Sequence, residues 1–564
     1  MKKDVTITVL PEEEKNQGLI KKALEKALFS EGIKTKGHSL EWVLVKKSID
    51  ARHGKVKFHL RFTVFIDEKA GALETEFVPK WKKVSGNAAG TTVIVGSGPA
   101  GLFGALRLLE YGIKPVIIEQ GEETDKRKGD IAEISTLGKV DSYSNFCFGE
   151  GGAGTFSDGK LYTRSNKRGN IPEVLQIFAH FGADKKILTD AHPHIGTEKL
   201  PGVINNIREF IKDCGGEFHF NCEVVDFVLE YGAGASGSPG NSEAVSSTKG
   251  ATGSSYEPKV LGVVVKNTKT GAESQFLGDA VLLGTGHSAY GIYSLLARTA
   301  PLSLEAKTFA MGVRVEHSRA LIDSIQFHGK TGNLEAAEYH LTTQVEGRGV
   351  YSFCMCPGGF VVPSSSSDDE IVVNGMSASG RNSPWSNAAI VVETRPEDIP
   401  ESFVKAAEKT GTAALSGLLY RKYIEQLTKN HGEGQKAPSQ RMTDFIDGRI
   451  SSSLPESSYT PGLVSSDLGS WLPPHISERL KAAFPEFNKM MKGYLCPEAV
   501  LIASETRTST PCRIVRDKES RECVAIKKLY PVGEGSGYAG GIVSSAMDGA
   551  NSAEKIAEVL GMKK

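Results

Sequence analysis

An α/β chain organised around a dinucleotide-binding strand–turn–helix is what this sequence predicts, and three stretches predict it. "TTVIVGSGPAGLFGALRLLEYGIKPVIIE" (91–119) sets a buried strand, a glycine-rich turn and an apolar helix before a second strand. "FGEGGAGTFSDGK" (148–160) places five glycines among thirteen residues, a density that calls for close approach of backbone to a partner. "YPVGEGSGYAGG" (530–541) is a third glycine-rich turn, and it runs directly into a long helical pattern.

At 564 residues the chain is long enough for two or three domains. It is 39% hydrophobic and 24% charged, with 67 basic and 67 acidic residues, so no net field favours nucleic acid or an anionic membrane. No apolar run reaches bilayer-spanning length. "MKKDVTITVL" enters a strand pattern at once, without the apolar core of a signal peptide. The eight cysteines are scattered except for Cys354 and Cys356, the pattern of reduced thiols. A cytoplasmic location is expected, with neither a membrane nor a nucleic-acid partner.

Residues 1–85 read as a small α/β domain. Val5, Ile7 and Val9 share one strand face, and Leu19, Ile20, Ala23, Leu24, Ala27 and Leu28 fall on one side of a helix. In "KVKFHLRFTVFI", Val56, Phe58, Leu60, Phe62, Val64 and Ile66 alternate with Lys55, Lys57, His59 and Arg61. That basic face, with residues 46–61, supports an alternative reading as an RNA-modification or RNA-associated protein. "KVSGNAAG" (83–90) is the expected joint.

In 91–119 each part has a task. Gly96 permits the tight turn, Gly98 lets backbone approach a pyrophosphate, and Gly101 allows close helix–strand packing; Pro99 and Ala100 open the helix. Glu119 stands where a carboxylate would accept from a ribose diol. Two strands, 222–229 and 259–265, flank a Gly/Ser-rich stretch (232–255) read as a disordered insert in a hairpin. "GDAVLLGTGHSA" (278–289) reads as another strand end of the same nucleotide-binding unit, because no second acid-terminated strand follows at the right distance. No independent nicotinamide fingerprint stands out. The region near 300–500 is strand-rich, with a helix near 411–429.

Taken together, "FGEGGAGTFSDGKL", "GVRVEHS", "FCMCPGGFVVP", "VVNGMSASGRN", "SETRTSTPCRI" and "YPVGEGSGYAGGIVSSAMDG" resemble the uncharacterised FAD-dependent dehydrogenase family, NAD(P)/FAD-dependent oxidoreductase-like proteins with a glutathione-reductase-type FAD-binding fold. "KKSIDAR" (46–52) is similar to a motif of that family's leading domain. The resemblance implies a Rossmann-type FAD-binding domain assembled from discontinuous segments (90–300 and 501–564), with an inserted strand-rich substrate domain (301–500) and the small N-terminal α/β domain. It implies an oxidoreductase with bound FAD and a small-molecule substrate, and it leaves open NAD(P)H or a protein as electron donor. It also implies that Gly151, Gly152 and Gly154 face the pyrophosphate or flavin ring. Gly286 would lie on the adenosine side, and Glu534, Gly535, Gly540 and Gly541 at the ribityl and pyrimidine end, with Arg127 a candidate for the pyrophosphate.

The catalytic residue is unknown from sequence. His287 is a candidate base or a structural hydrogen-bonder. His192 and His194 have a two-residue metal-site spacing without further ligands nearby. Cys354 and Cys356 are open to a redox relay with the flavin or to a role as buried thiols. Arg314, Arg381 and Arg507 suit a substrate carboxylate or phosphate, or ion pairs within the fold. Deleting 233–254 is expected to leave flavin content and melting temperature nearly unchanged; a loss of either, read by absorbance and thermal denaturation, would make the insert structural.

Overall fold

The computed structural model describes residues 1–52, 54–70, 77–84, 86, 88–163, 169–231, 257–329 and 334–562; the insert at 232–255 lies outside them. At the N-terminus, Lys57–Ile66 is the central strand of three, antiparallel to Lys2–Val9 on one side and to Leu40–Asp50 on the other. The alternation in the sequence sets its inner face. Phe58, Leu60, Phe62, Val64 and Ile66 pack with Val5, Ile7 and Val9 against Ile20, Leu24 and Leu28 of helix Gln17–Ser30. The Asn16 side chain caps that helix by accepting from the amides of Gly18 and Leu19. Three basic groups of the stretch meet the chain's own carboxylates: Lys47 meets Glu14 at 2.5 Å, Arg52 meets Asp50 at 2.9 Å and His59 meets Asp50 at 3.3 Å.

The second body is a five-stranded parallel sheet in the order Leu529–Pro531, Ala280–Leu283, Thr91–Val95, Lys114–Ile118, Glu217–His219. Ala280–Leu283, Thr91–Val95 and Lys114–Ile118 are apolar on both faces because both faces are covered. Ile94, Ile117 and Leu282 meet helices Pro99–Glu110, Leu200–Asp213 and Ile542–Val559. Val93, Val116 and Val281 meet helix Tyr290–Thr299 and a three-stranded antiparallel sheet. That small sheet includes the expected hairpin, Cys222–Glu230 with Lys259–Asn267, and adds Glu273–Leu277. Ala280–Leu283 and Leu529–Pro531 thus complete one sheet with the 91–119 unit, from segments far apart in sequence.

The third body is a seven-stranded mixed sheet in the order Thr342–Val345, Arg348–Cys356, Trp385–Thr394, Phe309–Ser318, Val500–Glu505, Ala437–Arg441, Leu463–Ser465. All pairs are antiparallel except the last. Helix Pro474–Met490 covers one face through Ile476, Leu480, Phe484 and Phe487. Strand Val500–Glu505 straddles the expected boundary at 500 and belongs to this sheet. The chain enters this body along Leu304–Ala306 and leaves along Cys512–Ile514, and those two segments pair antiparallel as a tie between the bodies. Among the described residues, no helix is long and apolar enough to cross a membrane.

The tightest joint in the parallel-sheet body is between helices Pro99–Glu110 and Ile542–Val559. A Cβ built on Gly549 would lie 1.9 Å from the Ala100 carbonyl oxygen. Gly549→Ala therefore forces two helices apart, and chemical denaturation should show a loss of about 1–3 kcal/mol, the usual cost of overpacking. An unchanged midpoint would mean that this contact is looser than its geometry.

Candidate active site

Three parallel strands end side by side, at Val95, Leu283 and Pro531, and each gives way to a glycine within two residues: Gly96, Gly284 and Gly533. A cavity of about 1060 Å³ opens there and extends to the edge of the mixed sheet. Ligands of open α/β sheets bind at this carboxyl end. Gly96 has φ +99°, and a Cβ on it would lie 2.5 Å from the Gly284 carbonyl oxygen. Gly98 caps helix Pro99–Glu110, and with Pro99 and Ala100 it faces the cavity. Across from it Gly152, at φ +69°, comes so near that a Cβ would stand 3.2 Å from the Gly98 Cα. Bare backbone from a helix start and a loop thus meets at one wall, a cradle that side chains would fill.

Most of the residues expected at a cofactor site line this cavity: Gly96, Gly98, Pro99, Ala100, Glu119, Gly152, Gly154, Gly286, Glu534, Gly540 and Gly541. Four do not line it. Gly101 lies behind the turn, where a Cβ would stand 2.0 Å from the Gly96 oxygen. Gly151 is folded under the loop, its amide bonded to the Ser97 carbonyl at 3.1 Å. Gly535 packs on the Gly286 backbone. Arg127 is fully buried away from the cavity, and it donates to the carbonyls of Asn145 (2.8 Å), Phe146 (3.0 Å), Glu150 (2.7 Å) and Gly152 (2.9 Å). Its guanidinium organises the loop through those four carbonyls.

Glu119 works on the same loop from the other side. One carboxylate oxygen accepts from the amides of Gly121 and Gly149 at 3.1 and 3.0 Å; the other accepts from the Ser97 amide and hydroxyl at 3.0 and 2.8 Å. Those four bonds fill its acceptor sites, so a ribose diol reaches this carboxylate only by displacing one of them. Gln120, next in the chain, also lines the cavity and was not singled out from sequence.

At the far end of the glycine turns stand His287 and Glu534, 3.8 Å apart. Arg421 donates to His287 Nδ1 at 3.0 Å and to its carbonyl at 2.7 Å. Burial and the Arg421 charge hold the imidazole well below its ordinary range. With Nδ1 accepting in a neutral ring, the proton resides on Nε2, so His287 offers a donor here and is not a free base. Burial pushes the Glu534 carboxyl up to about 7.

The opposite wall comes from the mixed sheet and its neighbours, with Lys160, Cys354, Arg381 and Arg507 on it. The three arginines expected for an anionic substrate are ion-paired within the fold. Arg314 bonds Glu505 at 2.9 Å; Arg381 bonds Asp158 at 3.1 Å and Glu338 at 2.7 Å; Arg507 bonds Glu370 at 2.5 Å and Glu425 at 3.1 Å. Among the described residues no group of three His, Cys, Asp or Glu side chains is placed to hold a metal. His192 bonds Glu338 at 2.8 Å and His194 bonds the Ser379 carbonyl at 3.2 Å. Lys160 was visible in the glycine-rich stretch only as punctuation; it pairs with Asp158 at 2.8 Å, and its other partners, Cys354 and Cys356, lie about 200 residues away.

Comparison with known proteins gives this geometry a chemistry. Residues 308–508 match the family model described as FAD-dependent protein, C-terminal domain-like; residues 90–142 match an FAD binding domain, and residues 1–65 a domain of unknown function. A Clostridium beijerinckii protein, described as uncharacterised, is 37% identical over 540 residues, 92% of this chain and 93% of its own length. Among solved structures, a geranylgeranyl bacteriochlorophyll reductase-like protein from Thermoplasma acidophilum aligns at 11% identity and a TM-score of 0.32, over 84% of this chain and 79% of that one. CtdE in complex with FAD aligns at 11% identity and a TM-score of 0.28, over 83% of each chain. FAD is the cofactor.

Burial pushes the Glu534 carboxyl up to about 7, and a cofactor closing over it would bury it further and favour its neutral form. FAD should therefore bind the apoprotein more weakly above that pH than below it, by about tenfold for each pK unit that binding adds. Glu534→Gln should flatten the profile, and flavin fluorescence titration across the range decides: an unchanged slope in the variant places the dependence elsewhere.

Proposed function

This chain belongs to the family of FAD-dependent proteins that carry this C-terminal domain, and from that premise we propose that it is an oxidoreductase passing hydride or electrons between bound FAD and a small substrate. One observation carries the reading: a single cavity runs from the glycine-walled ends of the parallel strands to the Lys160–Cys354 wall of the mixed sheet. A cofactor held at one end would present its reactive end to side chains of the other body.

In this reading the start of helix Pro99–Glu110, with Gly152 and Gly154 opposite, holds the pyrophosphate on backbone. Glu119, Gln120 and Gly286 flank the adenosine half, and Glu534, Gly540 and Gly541 surround the ribityl and pyrimidine end. The flavin, when bound, supplies the redox chemistry. The chain's residues place it and manage protons. His287 presents an Nε2–H whose direction Arg421 fixes. Glu534, with a carboxyl raised to about 7, holds a proton near neutrality that an ordinary glutamate would have lost. The paired Arg381, Asp158 and Glu338 stiffen the substrate wall. The electron donor is a nicotinamide or a reduced protein.

The test is direct. Purified protein should carry about one FAD per chain, identified chromatographically after heat release, and anaerobic titration with NADH and NADPH should identify the donor. Gly98→Glu puts a carboxylate into the cradle and should cost at least tenfold in FAD affinity with folding intact by circular dichroism. Stoichiometric FAD in that variant would remove Gly98 from the cofactor site.

A further inference from the structure

Cys354 and Cys356 lie in strand Arg348–Cys356, at the edge of the cavity. A regular strand is hostile to a bond between such residues, because it spaces i and i+2 about 6.7 Å apart at Cα, the outer limit for a disulfide. Here the strand is irregular. Its register against Trp385–Thr394 shifts between Phe353 and Cys356, and Cys354 sits at φ +44°, a left-handed conformation uncommon outside glycine. Such strain persists only where its surroundings hold it, and it gathers at functional sites.

The surroundings are specific. The Lys160 ammonium lies 3.8 Å from Cys354 Sγ and 3.5 Å from Cys356 Sγ, and the Cys356 thiol donates to the Cys354 carbonyl at 3.3 Å. Beneath the kink the fully buried Arg314 donates to the Cys354 carbonyl at 3.2 Å and to Asn387 at 2.8 Å, with Glu505 balancing its charge. The two sulfurs are not equivalent. Cys354 faces the cavity, and Cys356 is buried behind it. The neighbouring Cys356 thiol, aided by Lys160, holds the Cys354 thiol well below its ordinary range, while the same pairing and burial push Cys356 well above it. An accessible thiolate backed by a protonated inner thiol is the division of labour that dithiol exchange requires.

We propose that Cys354 and Cys356 form a reversible dithiol–disulfide couple that exchanges two electrons with bound FAD and acts on a thiol or disulfide group of the substrate. The inference rests on the oxidoreductase reading for its electron partner, and the thiol chemistry can be read without it. When the couple is oxidised, the Cys354 thiolate and the Cys356 thiol join in one S–S bond, the Cys356 S–H bond is lost with its proton, and two electrons pass to oxidised FAD. In the reverse direction the disulfide takes two electrons from reduced FAD and one proton, restoring the Cys354 thiolate and the Cys356 thiol. A substrate disulfide is then reduced by exchange. The Cys354 thiolate attacks one substrate sulfur and releases the other as a thiolate, which takes the Cys356 proton; Cys356 then displaces the first sulfur from the mixed disulfide as a second thiolate, closing the Cys354–Cys356 bond. Lys160 is a positioning residue for the Cys354 thiolate. The other charged groups facing that thiolate are Arg314, Asp158, Glu505 and Glu534.

The experiment uses the holoprotein. After oxidation with diamide, alkylation and peptide mass spectrometry should show Cys354 and Cys356 protected together, and dithiothreitol should return both. Anaerobic dithionite titration of diamide-treated holoprotein should take up two two-electron equivalents per FAD, and Cys354→Ser or Cys356→Ser only one. Lys160→Met should slow Cys354 alkylation about tenfold at neutral pH and move its pH midpoint upward, with Lys160→Arg restoring both. Both cysteines remaining alkylatable after diamide, or an uptake of one equivalent by the wild-type protein, overturns the couple. If the protein holds no FAD but protects the pair, the oxidoreductase reading fails and the dithiol stands. If FAD is bound and reducible while both thiols stay free, the reverse holds.

Discussion

The chain from Asn145 to Gly152 is gripped between two buried charges of opposite sign, and the cavity depends on that grip. Glu119 takes amide hydrogens, from Gly149 and from the neighbouring turns at Ser97 and Gly121; Arg127 takes carbonyls, from Asn145, Phe146, Glu150 and Gly152. Hydrogen bonds to charged groups are each worth about 1.5–3 kcal/mol where neutral ones give about 1. Loss of either residue would leave several buried backbone groups unpaired as well as one uncompensated charge. A glycine-rich loop has the most conformational entropy to lose, so it needs such a clamp to be ready before its ligand arrives. The backbone that must approach a pyrophosphate is thereby fixed by side chains that face away from it.

This also explains what was legible in the sequence. The 91–119 unit could be read almost in full because its contacts are local: Gly101 on Gly96, the helix on its preceding strand, Glu119 at the end of the next. The glycines that line the cavity were readable as places where side chains are missing. The residues that hold them were not. Arg127 looks like any loop arginine until the carbonyls 18 to 25 positions later fold around it. The His287 tautomer depends on Arg421, 134 residues away. Lys160 meets its two cysteines across 194 and 196 residues. Sequence spacing carries information about periodic elements and short turns, and it carries none about which loop meets which sheet edge.

The arginines show the same limit from the energetic side. Arg314, Arg381, Arg421 and Arg507 are all buried, and a buried guanidinium without a partner would cost several kcal/mol. Each is answered: Arg314 by Glu505, Arg381 by Asp158 and Glu338, Arg507 by Glu370 and Glu425, and Arg421 by Tyr290, His287 and the Glu425 carboxylate at 3.8 Å. A planar fork that suits a substrate carboxylate suits a glutamate equally well, so composition alone cannot separate the two. Exposure to the cavity does not separate them either, since Arg381 and Arg507 both line it while ion-paired within the fold. These pairs join loops of the cofactor side, at Asp158 and Cys147, to strands and loops of the mixed sheet. They fix the spacing of the two walls.

The N-terminal sheet enters the same logic. The Lys47 amide donates to the Thr189 carbonyl at 2.8 Å, and the Ala191 amide donates to the Lys47 carbonyl at 2.9 Å, a parallel bridge outside the regular strands. His328 reaches the Ala51 carbonyl at 2.7 Å, which joins the mixed-sheet body to the same edge. The "KKSIDAR" stretch is therefore a docking edge made of main-chain hydrogen bonds. The segment it holds, Thr189–Ala191, runs straight into His192 and Pro193, which stand on the cavity wall beside Glu338. A wall built from an irregular stretch has no sheet of its own to fix its position. The leading sheet supplies one, and the stretch that reads in sequence as a basic surface for polyanions, with Lys47, Arg52 and His59 beside Glu14 and Asp50, braces the cavity through its backbone.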